Sequence, residues 1–307
     1  MTTTPRLFVT GAGGNLGRGV VESLLEAKAE GAEADVVAGS RDPGKLSDLA
    51  ARGVELRRAD FDDPEELAEV LGGIDRVLII SAPDTPQDPP LRLRQHLAAV
   101  EAAAKAGVGH ISYTSMQKPE PGSAVPFAPD HHGTEQAIAQ TGIPFTILRP
   151  NWYADSVFMW LPQVLATARW VSAAGDGRVA HVWRDDLARA AAAALLAGGT
   201  ESRRLDISGP EALTAAEIVA IVNEVFGASV TLVAVSDADL AAGLAGAGLP
   251  APLVELLVAI DVNTRNGGVA TVTDAFEWLT GRRPRSLRDY LLVHRDALRA
   301  AARAIAQ

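Results

Sequence analysis

The sequence predicts an α/β protein: a doubly wound parallel sheet with a smaller C-terminal α/β cap. Three observations lead there. Short apolar runs alternate with longer segments of helical periodicity through the first half of the chain. Several runs are apolar almost throughout, most clearly Arg76-Val77-Leu78-Ile79-Ile80-Ser81, as suits strands covered on both faces. A glycine-rich turn joins the first apolar run to the first helical segment.

In order, strands are expected at 6–10, 35–39, 54–58, 76–81, 110–115 and 145–149, and helices at 15–30, 43–52, 64–71, 91–106 and 131–141. Right-handed crossovers between parallel strands then place helices on both faces of one sheet. Past Pro150 the rhythm changes. Residues 151–178 are rich in aromatic and small residues and show no clear alternation. A helix at 185–197 and a strand at 205–208 return to the main sheet. Thr214, followed three residues later by Glu217, signals a capped helix over 214–226. A short strand at 230–235 and helices at 236–249, 253–264 and 286–306 complete the reading. The expected division is 1–150 with 179–210 as the nucleotide-binding part, and 151–178 with 211–307 as the substrate-binding cap, the cleft lying between them. Residues 82–90, with four prolines and two aspartates, are the expected mobile loop.

The chain has 307 residues, 48 % of them hydrophobic and 21 % charged, which is ordinary globular composition. A net charge of −10 disfavours nucleic-acid backbones and anionic membranes. There is no cysteine, so thiolate metal sites, iron–sulfur clusters and cysteine nucleophiles are excluded. No 18-residue apolar window and no leader pattern is seen, and the expected location is the cytoplasm. Arg282-Arg283-Pro284-Arg285 reads as a solvated turn.

The most informative motif is Gly11-Ala12-Gly13-Gly14-Asn15-Leu16-Gly17. In a dinucleotide-binding (Rossmann) turn, Gly11 permits the tight turn, Gly14 the approach of a pyrophosphate, and Gly17 the close packing of helix and strand. The free amides and dipole of the helix start attract phosphate. After the second strand, where an NAD-preferring protein carries an acid, the chain has Ser40-Arg41-Asp42-Pro43. Arg41 can pair with a 2′-phosphate, although Asp42 next door could favour the ribose diol, and a solvated loop cation is the plain alternative. Asp60 could accept from the adenine amino group with Phe61 packed beside the ring. Ser81, Ala82 and Pro83 stand where the cofactor crosses the sheet.

With these residues in place, the chain resembles the NmrA-like atypical short-chain dehydrogenase/reductases, within them the quinone-oxidoreductase and triphenylmethane-reductase branch. The resemblance runs over nearly the whole chain. It is carried by residues 10–17, Arg41-Asp42-Pro43, Tyr113-Thr114-Ser115, Arg149-Pro150-Asn151-Trp152-Tyr153, Ala173-Ala174-Gly175-Asp176-Gly177, Arg184-Asp185-Asp186, residues 261–268 and Leu279-Thr280-Gly281. It implies NADP(H) over the sheet, nicotinamide near Pro150, Asn151, Trp152 and Tyr153, a cofactor phosphate contact for Arg184, and a small aromatic acceptor in the cleft.

The usual Tyr-x-x-x-Lys pair of short-chain dehydrogenases is absent: His131 stands in the Tyr place and Glu135 in the Lys place. Alcohol–carbonyl chemistry loses its acid and its ribose-binding cation. Direct hydride transfer to a quinone or electron-poor aromatic remains open, with Tyr113 and His131 as candidate proton donors. For His131 and His132 a capped helix start behind Asp130 is the plain alternative. His131 and Glu135 at i and i+4 supply only two metal ligands, so no metal site is expected. No G-x-S-x-G elbow is present. Trp152 and Tyr153 are expected to line a flat pocket, Phe158 and Trp160 to pack in the core. The leading expectation is an NAD(P)H-dependent reductase of quinones or similar aromatics, compatible with a homodimer. The rival is an NAD(P)-binding redox sensor that docks on a protein partner without turnover. An epimerase or dehydratase would need the missing pair.

Overall fold

The structure, a computed structural model, describes residues 4–83 and 89–305. The chain opens as β1 (Arg6–Val9), α1 (Asn15–Ala29), β2 (Asp35–Ser40), α2 (Ser47–Ala50), β3 (Glu55–Arg58), α3 (Pro64–Val70), β4 (Arg76–Ile79), α4 (Pro89–Lys105), β5 (His110–Thr114), α5 (Ala128–Gln140) and β6 (Phe145–Pro150). It continues as α6 (Val157–Thr167), β7 (Arg169–Ser172), β8 (Arg178–Val179), α7 (Arg184–Ala197), β9 (Arg203–Ile207), β10 (Leu213–Thr214), α8 (Ala215–Phe226) and β11 (Thr231–Ala234). Helices α9 (Asp237–Gly246), α10 (Ala251–Arg265), α11 (Ala275–Thr280), α12 (Leu287–Val293) and α13 (Arg295–Ile305) follow.

Seven strands form one parallel sheet in the order β3-β2-β1-β4-β5-β6-β9. The strand order reverses between β1 and β4, which creates the crevice where ligands of open α/β sheets bind. Alternation along each strand sends side chains to opposite faces. Leu7, Val9 and Leu78 pack with α1 and α7, while Phe8, Val77, Ile79, Ile111 and Tyr113 pack with α3 and α4. A third core joins α6, α8, α12 and α13 around Val157, Leu161, Trp183, Val222 and Tyr290. The Thr214–Glu217 capping box at α8 forms as expected.

Local differences from the sequence reading have physical causes. Residues 151–178 do contain regular structure: α6, with Pro162 inside it, and β7, which pairs with β11 in parallel. That pairing is remote in sequence, so periodicity within 151–178 could not reveal it. Residues 43–52 form a 3₁₀ turn and a single α turn rather than one helix. The helix expected at 131–141 starts at Ala128, with Pro129 in its first turn, so Asp130 is not its cap. The stretch 286–306 is two helices, parted at His294, and α11 went unrecognised because it is six residues long. Of the loop expected over 82–90, residues 84–88 lie outside the described residues, and α4 already begins at Pro89.

Candidate functional site

Because the strands of the main sheet are parallel, the segments leaving β1 to β6 all emerge at its carboxyl edge. Gly11, at φ +61°, turns the chain out of β1. Gly17 returns beneath it so closely that a Cβ would sit 2.2 Å from the Gly11 carbonyl oxygen. Gly11, Gly13, Gly14 and Asn15 face outward, whereas Ala12, Leu16 and Gly17 are buried. Gly14 is the N-cap of α1; no side chain caps it and no acid lies in the first turn. The helix dipole and amides are therefore left for an anion. The donor set and the side-chain-free outer surface fit a dinucleotide pyrophosphate.

Arg41 is exposed at the end of β2. Its acidic neighbour Asp42 pairs with Lys45 at 3.2 Å, and its own amide donates to Ser40 Oγ. Lys45 thus offsets the charge that made the Asp42 position ambiguous. Half-buried Asp60 accepts from the amide of Asp62 and lies 3.5 Å from Arg58. Phe61 packs against the core that includes Phe8 of β1, Val37 of β2 and Val77 of β4. Ser81 donates its amide to Thr114 Oγ1 and Ala82 its amide to His96 Nε2, which ties the end of β4 to the next strand and helix. Pro83 is exposed.

After β6, Pro150 and Asn151 are buried. Asn151 Nδ2 donates to Gln117 Oε1 and the Val269 carbonyl, and Oδ1 accepts from the Trp152 amide. Its side chain is committed to joining chain segments. Trp152 and Tyr153 are half-buried, and the Arg184 guanidinium stands 5.5 Å from the centre of the Tyr153 ring. Burial pushes the Tyr153 phenol up to about 12. Arg184 is held by Asp155 at 3.0 Å, so a cofactor phosphate would share it with this carboxylate. Phe158 is exposed rather than a core residue, while Trp160 stacks on Trp170 at 4.5 Å.

Tyr113 and His131 are brought together, but under the surface: 0 % and 3 % exposed. The Tyr113 hydroxyl lies 2.8 Å from His131 Nδ1 and 3.3 Å from His96 Nδ1. Tautomers follow from the network. His96 Nε2 accepts from Ala82, so its Nδ1 donates to Thr134 Oγ1, which donates to the Asp130 carbonyl. The Tyr113 hydroxyl then donates to His131 Nδ1, leaving the ring hydrogen of His131 on Nε2. Burial, aided by the Arg92 charge, holds His131 well below the usual histidine range and His96 down to about 3. Burial also raises the Tyr113 phenol. At neutral pH all three are uncharged.

Glu135, in the Lys place, is buried and faces cations. It receives Arg149 Nη2 at 2.6 Å, Arg204 Nε at 3.0 Å and Ser115 Oγ at 2.6 Å. Asp261 similarly binds the segment after β7, through Ser172 Oγ and the Ala173 amide, which joins two of the motifs that carry the family resemblance. No group of three or more His, Asp or Glu among the described residues is placed to hold a metal. No helix is long and apolar enough to cross a membrane among the described residues. A cavity of about 390 Å³ beside Trp278 lies away from the carboxyl edge, and one of about 360 Å³ lies between α10 and Ala124 of the segment after β5.

Sequence reasoning missed Arg92, His96 and Phe127. Arg92 and His96 are four residues apart on one helix, but their neighbours come from β5, α5 and the segments after β4 and β5.

Comparison with known proteins shows the family. Residues 11–197 match the family described as NAD(P)H-binding. Quinone oxidoreductase 2 of Escherichia coli is 35 % identical over 263 residues, 86 % of this chain and 89 % of that protein. The crystal structure of the Escherichia coli NADPH-dependent quinone oxidoreductase with NADPH superposes with a TM-score of 0.86 at 33 % identity, covering 94 % of this chain and 99 % of that one. The Citrobacter sp. triphenylmethane reductase with NADP(H) gives 0.82 at 34 % identity, covering 92 % and 98 %. The chain therefore belongs to the NAD(P)H-binding, NmrA-like atypical short-chain dehydrogenase/reductases, and is an NAD(P)H-dependent oxidoreductase.

Proposed function

We propose that this oxidoreductase transfers hydride from NADPH directly to a quinone or similar aromatic acceptor, without a flavin. The observation that carries the reading is a conjunction at one edge of the sheet. An open glycine turn after β1 shares the carboxyl edge with Phe127 after β5 and Trp152 and Tyr153 after β6, while the residues read into the positions of an alcohol dehydrogenase's acid and cation are a neutral His131 and an ion-paired Glu135. The relatives named for quinone and dye reduction support the acceptor class.

The bound dinucleotide supplies the hydride; with one proton from water, quinone and NADPH become hydroquinone and NADP⁺. The chain's own residues bind and orient. The turn from Gly11 to Gly17 receives the pyrophosphate, and Arg41, with Asp42 offset by Lys45, selects the 2′-phosphate. Asp60 and Phe61 flank the adenine, and Ser81, Ala82 and Pro83 border the crossing of the sheet. The segment Pro150 to Tyr153 borders the nicotinamide end, with Asn151 acting through the backbone that it fixes. His131 and Tyr113 shape the floor. A buried neutral imidazole is a poor proton source, so rate arises mainly from holding the acceptor in place. The cap formed around 151–178 and 211–307 closes the far side of the acceptor cleft.

The test is NADPH consumption by purified, flavin-free protein with a panel of small quinones and triphenylmethane or azo dyes. Turnover is expected with at least one quinone, and no NADP⁺ reduction with secondary alcohols. NADPH binding with no acceptor reduced would transfer the assignment to the redox-sensor reading, in which the same fold docks on a protein partner.

A further inference from the structure

Among the described residues, three buried donor nitrogens without a partner lie around one phenyl ring at the carboxyl edge. Arg92 is 8 % exposed, and its Nε and Nη1 have no hydrogen-bond partner among the described residues. The indole Nε1 of Trp152 is equally unpartnered. The Arg92 guanidinium stands 5.0 Å from the centre of the Phe127 ring, and the Trp152 ring 6.4 Å from the same ring. Arg92 comes from α4 after β4, Phe127 from the segment after β5, and Trp152 from the segment after β6. Three independent segments thus converge on one spot.

A guanidinium keeps its charge at any relevant pH. Buried with no counter-ion among the described residues, it is a strongly destabilising group for a fold to carry. Among the described residues no carboxylate pairs with it. His96 and His131 are driven neutral by burial and by this same charge. Of the nearby carboxylates among the described residues, Glu135 is taken up by Arg149 and Arg204, Asp155 by Arg184, and Asp130 is not free either. The site offers only donors and an aromatic face, so its complement is a planar aromatic molecule that brings acceptor oxygens and negative charge.

We propose that Arg92, Trp152 and Phe127 form an oxyanion subsite that selects aromatic acceptors bearing a carboxylate or sulfonate. Phe127 stacks on the acceptor ring, Arg92 pairs with the anionic group, and Trp152 Nε1 donates to one of its oxygens. This rests on the aromatic-acceptor reading above and narrows it to anionic members of the class.

Two measurements separate the subsite from that reading. The first needs no turnover: calorimetric titration of the full chain, with NADP⁺ present, by 1-naphthoate and by the uncharged 1-naphthalenemethanol. Naphthoate should bind at least about tenfold more tightly, as expected for a charge-assisted contact. Arg92→Met should remove that preference while leaving NADP⁺ affinity unchanged. Trp152→Phe, which keeps an aromatic ring and removes the donor with part of the indole, should weaken naphthoate several-fold. The Arg92→Met protein should also melt at a higher temperature than the parent, because it loses an unpaired buried charge; a merely structural arginine would lower it. The second measurement is NADPH oxidation with 1,2-naphthoquinone and its 4-sulfonate. Arg92→Met should raise KM for the sulfonate about tenfold or more and leave KM for the uncharged quinone within about twofold. Equal binding of naphthoate and the alcohol by the parent, or an unchanged preference in Arg92→Met, overturns the subsite. Arg92-dependent naphthoate binding without reduction of any quinone supports the subsite and counts against the reductase reading alone.

Discussion

The Tyr113 hydroxyl donates to Nδ1 of His131 across 2.8 Å, beneath the floor of the carboxyl edge and out of contact with solvent. His131, which the sequence reading sets in the usual tyrosine place, thus has its tautomer set by Tyr113 from the neighbouring strand. Tyr113→Phe leaves Nδ1 of His131 without its donor, which should destabilise the protein by about 1–3 kcal/mol. Quinone turnover should fall far less than the 10²–10⁴-fold typical of lost general acid catalysis. Thermal unfolding and steady-state kinetics on the same variant check both numbers. A loss within that range would make the pair a proton relay.

Restoring the absent dehydrogenase pair should fail. Glu135 neutralises Arg149 and Arg204, and a lysine there would place a third cation among them. Glu135→Lys is expected to destabilise by about 3 kcal/mol or more, even allowing for the partial exposure of Arg204. His131→Tyr combined with Glu135→Lys should therefore melt well below the parent and show no alcohol oxidation. A stable, alcohol-oxidising double variant would refute this account of the site.

The glycine turn offers two contrasting substitutions. A Cβ at Gly17 would lie 2.2 Å from a backbone oxygen, whereas one at Gly14 lies 3.4 Å from Gly11 O in an ordinary extended conformation. Gly17→Ala should cost about 2 kcal/mol or more of stability. Gly14→Val should keep its far-ultraviolet dichroism and lose dinucleotide binding, because the side chain enters the pyrophosphate space. Normal NADPH binding by the folded Gly14→Val protein would place the phosphates elsewhere.

Arg41→Ala should lower NADPH affinity by about 1.5–3 kcal/mol and leave NADH affinity nearly unchanged. Lys45→Ala, by releasing Asp42, should shift the preference in the same direction but by less. Calorimetry with both dinucleotides on the parent and the two variants decides it, and equal parent affinities would remove the 2′-phosphate role.

Acid should unfold the protein earlier than its surface ion pairs suggest. His96, His131 and His181 are buried and held far below the ordinary value, His96 near 3 and His181 near 4. Depressed folded-state values mean that the unfolded chain binds protons first, so stability is complete above about pH 6.5 and falls as pH drops toward 4. Each histidine contributes up to about 1.4 kcal/mol per pH unit in that window. Asp206 and Asp261, raised by burial, act in the opposite sense and only partly offset the three histidines. Denaturant titrations at pH 7, 6 and 5 should show a monotonic fall, and a flat profile would mean that these rings protonate without unfolding.

The sheet and the glycine turn were legible from sequence because both are local. A buried parallel strand announces itself by an unbroken apolar run, and the turn from Gly11 to Gly17 places its constraints within seven residues of one another. The departure at His131 and Glu135 could also be read, since it follows from their spacing on one helix. What these two residues do was decided by tertiary contacts. Tyr113 meets His131 from the neighbouring strand, and Arg204 reaches Glu135 from β9, 69 residues away. Arg92, His96 and Phe127 were invisible beforehand for the same reason. Their chemistry arises where segments from different strands converge, and burial sets their charge states; neither is encoded in any short window of the chain.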